Sequence, residues 1–160
     1  MKFAEFMCNA SINVDLKATT KEAAIREMVK SIMDAGAIAE EDYEQIVRNV
    51  LKREELGSTG IGHSVAVPHT KNPNVKKMVG TVAVSQSSEG VDFDSLDGLP
   101  VRVLFMLISP PDQPAEHLRA LEHIAKQLRN DVFRRFMIQA KNSEAVCEIL
   151  NEADNDKYVL

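Results

Sequence analysis

Four histidines and one arginine are the side chains in this sequence whose types and spacing suit chemistry at a site: His63, His69, His117, His123 and Arg53. The histidines fall into two pairs, and the members of each pair are six residues apart. Six residues turn a helix through about 600°, so such a pair points to different faces and lacks the i,i+4 spacing of a zinc-binding helix. Because no cysteine pair or dense carboxylate cluster accompanies them, the sequence predicts no metal site.

Other common site chemistries find little support. The segment GSTGIG, residues 57–62, is rich in glycine, but it lacks the lysine of a P-loop and follows a predicted helix rather than a strand. No GxSxG nucleophile elbow is present, which argues against a serine hydrolase of that type. The net charge of −5 is spread along the chain, whereas nucleic-acid binding needs a concentrated basic face, so we expect no nucleic-acid partner.

The hydropathy of the sequence predicts a cytoplasmic protein with no direct membrane insertion. The longest apolar run, VRVLFMLI at residues 101–108, has the length of a strand and is far shorter than the ~20 residues of a membrane span. The N-terminal segment MKFAEFMCNAS lacks the apolar run of a signal peptide. The chain has 44% hydrophobic and 27% charged residues, which is a globular composition, and its length fits one domain.

The spacing of apolar residues predicts the elements that must position these side chains. Residues 12–16, INVDL, alternate like an edge strand, and Thr19 with Glu22 fits the capping box of a helix that ends at Gly36. A second helix is predicted at residues 40–55. The segments SVAVPH, MVGTVAVSQ and VRVLFMLIS are typical of buried strands, and residues 91–93 of a short one.

Helices also dominate the C-terminal third of the sequence. They are predicted at residues 114–129, with Pro114 in the first turn, and near 131–140 and 143–153. The inward face of the helix at 114–129 is predicted to carry Leu118, Leu121, Ile124, Ala125 and Leu128. This order of elements predicts an α/β (α+β) fold in which a small mixed sheet is covered by helices.

His69 stands directly after Pro68, at the predicted C-terminal end of the strand SVAVPH. Open sheets place their ligands at that end of the strands, and proline ends a ladder because it has no N–H to donate. A histidine that only caps the strand explains the same pattern. Both interpretations stay open on spacing alone.

His117 and Arg53 favour an anionic ligand. His117 lies in the first turns of the predicted helix and four residues before Leu121, hence on or beside its buried stripe. A helix N-terminus favours a nearby anion, and an arginine fork matches the geometry of a phosphate. Arg53 comes just before the glycine-rich loop that leads to His69, so we expect these three side chains to converge.

Two segments resemble a known family. REELGSTGIGHSVAVPHTK, residues 53–71, resembles the active-site segment of enzyme IIA of the bacterial phosphotransferase system (PTS), in the type 2 branch of fructose, mannitol and nitrogen-regulatory proteins. FDSLDGLPVRVLFMLISPPDQPAEHLRALEHIAKQLRN, residues 93–130, is similar to the later strand, loop and helix of that family. The resemblance implies one domain over residues 1–160, with a core at about 10–152 and a short C-terminal tail. It also implies a mixed sheet of about five strands with helices on both faces.

The resemblance implies roles for individual residues. His69 matches the histidine that is phosphorylated, with the distal nitrogen Nε2 expected to carry the phosphoryl group. His117 matches the second histidine, which helps to hold that group, and Arg53 matches a site arginine. His63 matches no functional position and is expected in a loop, whereas His123 is expected on the surface or in packing. Thr70 stands where many relatives have glycine.

By the same resemblance, the chain is a phosphocarrier that needs no cofactor and no metal. His69 would accept a phosphoryl group from the HPr-like carrier protein, with backbone N–H groups of the loop at 57–62 or of the helix start as helpers. An apolar patch around His69 would receive the partner. The framework behind that patch would consist of Val65, Val67, Met106 and Ile108.

Three interpretations of the downstream role remain. In one, His69 controls binding to a regulatory target protein, as in the nitrogen-regulatory branch. In another, the chain is a sugar-specific enzyme IIA that passes the phosphoryl group to a IIB domain during transport. A lone IIA domain permits both and favours regulation slightly. The third is an α/β binding domain with no phosphoryl chemistry.

Overall fold

The computed structural model describes residues 1–158. Its helices are α1 (Lys21–Asp34), α2 (Tyr43–Glu55), α3 (Pro114–Leu128), α4 (Asp131–Gln139) and α5 (Ser143–Asp154). Its strands are β1 (Gly60–Gly62), β2 (Val65–Ala66), β3 (His69–Lys71), β4 (Val79–Val84) and β5 (Val103–Ser109). Short 3-10 helices lie at Phe3–Glu5, Asn9–Ser11 and Glu40–Asp42.

Strand β5 is the centre of the sheet. It pairs antiparallel with β4 on one side and parallel with β2 and β3 on the other, and β1 forms an antiparallel hairpin with β2. The predicted small mixed sheet of about five strands is therefore confirmed. The hairpin turn places His63 and Ser64 at φ 57° and 63°, and positive φ at both central residues matches the right-handed twist of the strands.

Both faces of β5 are buried, and successive side chains point to opposite faces. Leu104, Met106 and Ile108 pack with residues of α1 and α2. On the other face, the side chains of alternate residues pack with α3, α4 and α5, beginning at Val103 and Phe105. The sheet thus lies between two helical layers, as the sequence predicted.

The start of α1 differs by one residue from the prediction, whereas its end agrees with it. Thr20, rather than Thr19, is the N-cap, because its side chain accepts the N–H of Ala23. At the C-terminus, Gly36 takes φ 81°, the left-handed conformation that ends many helices and that glycine adopts without a Cβ penalty. The predicted stop at Gly36 is confirmed.

The predicted edge strand over residues 12–16 is wrong. The segment runs beside β4, but it makes a single bridge, from Asn13 to Ala83, before it bends. The side chain of Asn13 accepts the N–H of Asp15 and donates to Glu27, and this competes with a regular ladder. Residues 91–93 likewise form only isolated bridges, including the antiparallel pair Val91 and Val101.

The packed core reaches beyond the expected bounds of about 10–152. Phe3 and Phe6 are buried, and Phe3 packs against Phe105 and Phe133 with ring centroids 5.6 and 6.3 Å apart. Tyr158 is also buried, against Phe133. Aromatic packing at both ends explains why these segments belong to the core.

Asp154 joins the two ends of the chain. Its nearly buried carboxylate accepts the N–H groups of Phe3 and Ala4 at 2.7 and 3.0 Å, and lies 3.2 Å from Nε2 of His123.

In residues 1–158, no helix is long and apolar enough to cross a membrane.

Replacing Asp154 with Asn should reduce the free energy of unfolding by about 2 kcal/mol, since an amide NH2 would face backbone donors that now bond to a charged acceptor. Urea unfolding measures this change. Asp156→Asn is the matched control, because Asp156 is exposed and its φ of 61° suits asparagine. Equal unfolding midpoints for the two variants would contradict the role of Asp154.

Candidate functional site

His69 opens β3 rather than ending a strand, which corrects the predicted position. Residues Val65 and His69 pair with Val103 and Leu107, so β2 and β3 continue one strand along β5. The break falls at Val67 and Pro68, where proline has no N–H to continue a ladder. The Pro68 carbonyl still accepts the N–H of Leu107, so His69 is held by the sheet directly after a residue that lacks the N–H of a regular ladder.

The Val67 carbonyl determines which nitrogen of the His69 ring carries the proton. Its Nδ1 lies 2.8 Å from the carbonyl oxygen of Val67, and a carbonyl can only accept a hydrogen bond. Nδ1 therefore carries the proton, and Nε2 of the neutral ring has a free lone pair. Within residues 1–158, Nε2 of His69 has no hydrogen-bond partner. The ring both bonds to a backbone carbonyl of the strand and presents a nucleophilic nitrogen, so the two sequence interpretations are compatible.

His117 faces His69 from the first turn of α3. It is buried, and the centroids of the two rings are 5.6 Å apart. Its Nδ1 lies 2.6 Å from Oγ of Ser109, at the end of β5. Burial is the main cause that lowers the pKa of His117 to about 4, and the charge of Lys71 and the proximity of a second titrating ring, His69, add to it, so the His117 ring is neutral near pH 7.

Arg53 reaches the same cleft from the end of α2. Its Nη1 donates to the carbonyl of Gly57 at 2.9 Å, which leaves the rest of the guanidinium available. The helix is tied to the chain just after β3, because the side chain of Asn72 donates to Asn49 at 2.9 Å and to Gln45 at 3.3 Å. The three predicted residues, Arg53, His69 and His117, thus line one cleft of about 470 Å³.

The environment keeps His69 neutral. Burial lowers its pKa; the hydrogen bond to Val67 raises it, and the charge of Arg53 lowers it again, with a net downward shift. A neutral imidazole is the nucleophilic form. The cleft therefore favours the protonation state that a phosphoryl acceptor needs.

Two residues of the cleft were missed by the sequence reasoning. Lys71 and Thr70 both line it, and the charge of Lys71 lowers the pKa of both His69 and His117. A signal for Lys71 existed, because residues two apart on a strand share a face, and Lys71 follows His69 at that spacing. Lys71 adds a second cation to the cleft beside Arg53.

A buried carboxylate organises the glycine-rich loop. Glu54 accepts from the N–H of Thr59 at 3.1 Å and from its hydroxyl, and lies 3.3 Å from Nζ of Lys21. The N–H of Gly57 bonds to the carbonyl of Glu54, and that of Gly60 to the hydroxyl of Ser58. These N–H groups are occupied within the loop, so the expectation that they help to hold a phosphoryl group is not supported for these three positions.

The other two histidines lie away from this cleft. His63 is exposed at the tip of the hairpin between β1 and β2, with its N–H bonded to Asp97. His123 packs on Phe3, with ring centroids 4.4 Å apart, and bonds to Asp154. Across residues 1–158 there is no cluster of three histidine, cysteine, aspartate or glutamate side chains that could hold a metal ion.

The apolar residues near the cleft separate into a buried framework and an exposed rim. Val65, Val67, Met106 and Ile108, expected behind the site, are all buried. Leu118 was predicted to face inward, and this is wrong: it is 57% exposed, one residue after His117. Since His117, Ala120 and Ile124 form the inward stripe of α3, the next residue along the helix turns outward.

Comparison with known proteins places this site in a family. The family model of the phosphoenolpyruvate-dependent sugar phosphotransferase system, EIIA 2, matches residues 5–153. The chain belongs to this family. The EIIA 2 match includes Arg53, His69 and His117 and extends through most of α5.

Relatives of this EIIA 2 protein carry two kinds of name. The chain is 32% identical over 96% of its length to the PTS system fructose-specific EIIABC component of Bacillus subtilis, but it covers only 24% of that protein. It is 30% identical to a nitrogen regulatory protein of Bradyrhizobium diazoefficiens, covering 94% of this chain and 95% of the relative. The chain therefore spans about a quarter of one relative and nearly all of the other.

A solved structure shows the same fold. The crystal structure of nitrogen regulatory protein IIA-Ntr from Neisseria meningitidis superposes with a TM-score of 0.82 and 27% identity, over 92% of this chain and 98% of that one. The sandwich of sheet and helices is thus the EIIA 2 fold. The expected fold class and family are both confirmed.

The lowered pKa of His117 makes stability depend on pH. Its pKa is about 4 in the folded protein and 6.5 in an ordinary environment, so between these values the unfolded state binds more protons. The free energy of unfolding should therefore rise with pH over this range, by about 3 kcal/mol for the full shift. The pKa of His69 is also lowered in the folded protein, so His69 likewise makes the free energy of unfolding rise with pH.

Urea unfolding between pH 4 and 7 tests this effect when the wild type is compared with His117→Gln, which removes the titrating group. The difference between the two curves cancels the carboxylates that titrate in the same range. We expect the wild type to gain more stability than the variant as the pH rises. Parallel pH profiles would show that His117 is not buried as a neutral ring.

Proposed function

We propose that this EIIA 2 protein is a phosphocarrier that accepts a phosphoryl group on Nε2 of His69 from the HPr-like carrier protein. The single observation that carries the proposal is the hydrogen bond from Nδ1 of His69 to the Val67 carbonyl, which leaves Nε2 as the free nitrogen. The cleft around this nitrogen also contains Arg53, Lys71 and His117. This combination of nucleophile and cations suits a phosphoryl group better than a neutral ligand.

The transfer step requires no proton movement on His69. The Nε2 lone pair attacks phosphorus of the phosphohistidine on the donor, an N–P bond forms, and the N–P bond of the donor breaks with its electron pair returning to the donor ring. Nδ1–H of His69 stays on the Val67 carbonyl throughout. That hydrogen bond stabilises the positive charge that the ring gains as its lone pair is shared, consistent with its upward effect on the pKa of His69.

The transferred group carries negative charge on three oxygens, and the cleft can balance it. Arg53 offers a planar guanidinium, Lys71 a flexible ammonium, and His117 a neutral imidazole donor. Phosphoryl transfer depends mainly on positioning and charge stabilisation, so these fixed groups supply what the reaction needs. This role requires no cofactor or metal.

The exposed rim offers a surface for transient partners. Leu118 follows His117 and is 57% exposed, and Leu56, directly after α2 and three residues after Arg53, is 84% exposed. Exposed apolar side chains that closely follow two of the cleft residues in sequence suit a carrier protein that must dock and leave. The downstream partner is either a IIB domain or a regulatory target protein. The two kinds of name among the relatives match these two outcomes.

Phosphoryl acceptance tests the role of His69. The protein is mixed with phosphoenolpyruvate, enzyme I and HPr, with general and nitrogen-type HPr in parallel, and its intact mass is followed. We expect one acid-labile phosphoryl group on the wild type and none on His69→Ala. The exposed His63→Ala is the matched control and should accept normally, since His63 lies on the hairpin tip.

Loss of phosphoryl acceptance in the His63 variant, or its persistence in the His69 variant, would refute the assignment. The substitution His69→Ala should leave the protein folded, because the His69 ring lies at a cleft rather than in the core. The faster HPr indicates whether transport or regulation is the role. No added mass with either carrier would leave only the fold shared with the family.

Arg53 and His117 should affect the rate of transfer rather than the capacity to accept. We expect Arg53→Met and His117→Ala each to slow single-turnover transfer by about 100-fold, the typical loss when one donor to a developing charge is removed. Arg48→Met is the control, because Arg48 is exposed on the same helix and does not line the cleft. Rates equal to the control would remove the variant residue from the mechanism.

A further inference from the structure

Ser109 is a buried hydroxyl that the proposed transfer step does not use. It ends β5 with no exposed surface, and its carbonyl accepts the N–H of Asn72. Its Oγ lies 2.6 Å from Nδ1 of His117. This position on the sheet brings a small polar side chain directly beneath the ring that faces His69.

The hydrogen bond between Ser109 and His117 can exist in two ways. Either the hydroxyl donates to an unprotonated Nδ1, or a protonated Nδ1 donates to the hydroxyl oxygen. In the second case the hydroxyl hydrogen would need another acceptor. Within residues 1–158, the Ser109 hydroxyl has no other hydrogen-bond partner, and buried donors are normally satisfied. The first arrangement therefore holds, with Ser109 as the donor.

This direction fixes where His117 keeps its proton. A neutral imidazole has one N–H, and if Nδ1 accepts from Ser109 then Nε2 carries the hydrogen. Since Nδ1 is turned to the end of β5, Nε2 is the nitrogen left for the cleft that His117 lines with His69. Without the serine, a neutral His117 could equally present a lone pair there, which would repel a phosphoryl oxygen.

The two histidines thus receive opposite tautomers from their partners. The Val67 carbonyl is only an acceptor, so it places the proton of His69 on Nδ1 and leaves Nε2 as the nucleophile. The Ser109 hydroxyl acts as a donor, so it places the proton of His117 on Nε2. One ring can attack phosphorus while the other donates to its oxygens.

We propose that Ser109 is a positioning residue that holds His117 in the Nε2–H tautomer, so that a neutral ring donates to the phosphoryl group on His69. This inference rests on the proposed function for its catalytic consequence. The tautomer itself is a property of the resting protein and can be measured without any phosphoryl transfer.

The first experiment is NMR of protein labelled with 15N in histidine, with two-bond correlations that distinguish Nδ1–H from Nε2–H rings. At pH 7 the wild type should show His117 as the Nε2–H tautomer and His69 as the Nδ1–H tautomer. Ser109→Ala should convert His117 to a mixture of tautomers and leave His69 unchanged. Ser85→Ala, at a buried serine beside the far end of β4, is the matched control and should alter neither ring.

The second experiment is single-turnover transfer from phospho-HPr. We expect Ser109→Ala to slow the transfer step about 10-fold at saturating donor, without changing the donor concentration that gives half the maximal rate. Ser109→Thr keeps the hydroxyl and should restore both the tautomer and most of the rate. A loss of docking would instead change the half-maximal concentration.

An Nδ1–H tautomer for His117 in the wild type would overturn the inference, and so would an unchanged tautomer in Ser109→Ala. A shifted tautomer with an unchanged transfer rate would also overturn it, because Ser109 would then have no effect on the reaction. If the wild type shows the expected tautomers but accepts no phosphoryl group, the proposed function fails while the tautomer assignment stands. The two experiments thus separate the two failures.

Discussion

The hydrogen bond from the His69 ring to the Val67 carbonyl is the interaction on which the site depends. It exists because the backbone groups of Val67 face away from β5: its N–H bonds to the Thr59 carbonyl, and its carbonyl is available to a side chain, whereas the Pro68 carbonyl faces β5 and accepts the N–H of Leu107. The sheet on either side keeps one register, which holds the ring in place across the break. A backbone carbonyl that faces away from β5 thereby orients one imidazole, and that orientation sets which ring nitrogen has the free lone pair.

The alternation of side chains along the sheet explains why the remaining groups meet there. His69 pairs with Leu107 and Lys71 with Ser109, so all four side chains point to the layer that contains α3. Helix α3 begins a few residues beyond β5, and its first inward position is His117. Arg53 comes from the opposite helical layer and reaches around the edge at β3. Two layers therefore contribute to the cleft, and neither would form it alone.

Much of the fold follows from the sequence, because the helices and central strands have strong periodicity. The inward stripe of α1 and the buried strand β5 follow from apolar spacing alone. The errors have local causes. Apolar spacing predicts Leu118 on the inward face of α3, because leucine is more apolar than histidine. In the structure the buried face of α3 includes His117 instead, and Leu118 is exposed to solvent. The segment at 12–16 has the alternation of a strand, but the side chain of Asn13 bonds to its own backbone neighbourhood and bends the chain.

The site was predictable in its residue types and less so in its geometry. His69, His117 and Arg53 followed from their positions at element ends, whereas Ser109 depends on the parallel register of β3 with β5, which no local pattern encodes. The N–H of Thr59 in the glycine-rich loop is occupied by the carboxylate of Glu54, a charged residue whose burial the sequence does not signal. Local spacing identifies reactive side chains, but long-range pairing decides their hydrogen-bond partners.

The electrostatics of the cleft give the phosphorylated state a distinct surface. Before transfer, burial and the charge of Lys71 lower the pKa of both histidines, with Arg53 adding to the effect at His69, so the cleft is a small cationic area on a chain with net charge −5. On the proposed function, a phosphoryl group would bring close to two negative charges and cancel that area. A partner that docks on Leu56 and Leu118 would then meet a charged cleft in one state and a neutralised one in the other. Because the apolar rim stays the same, the difference in affinity between the two states must arise from the cleft itself. The groups that stabilise the transferred phosphate are therefore also the groups by which a partner can distinguish the two states.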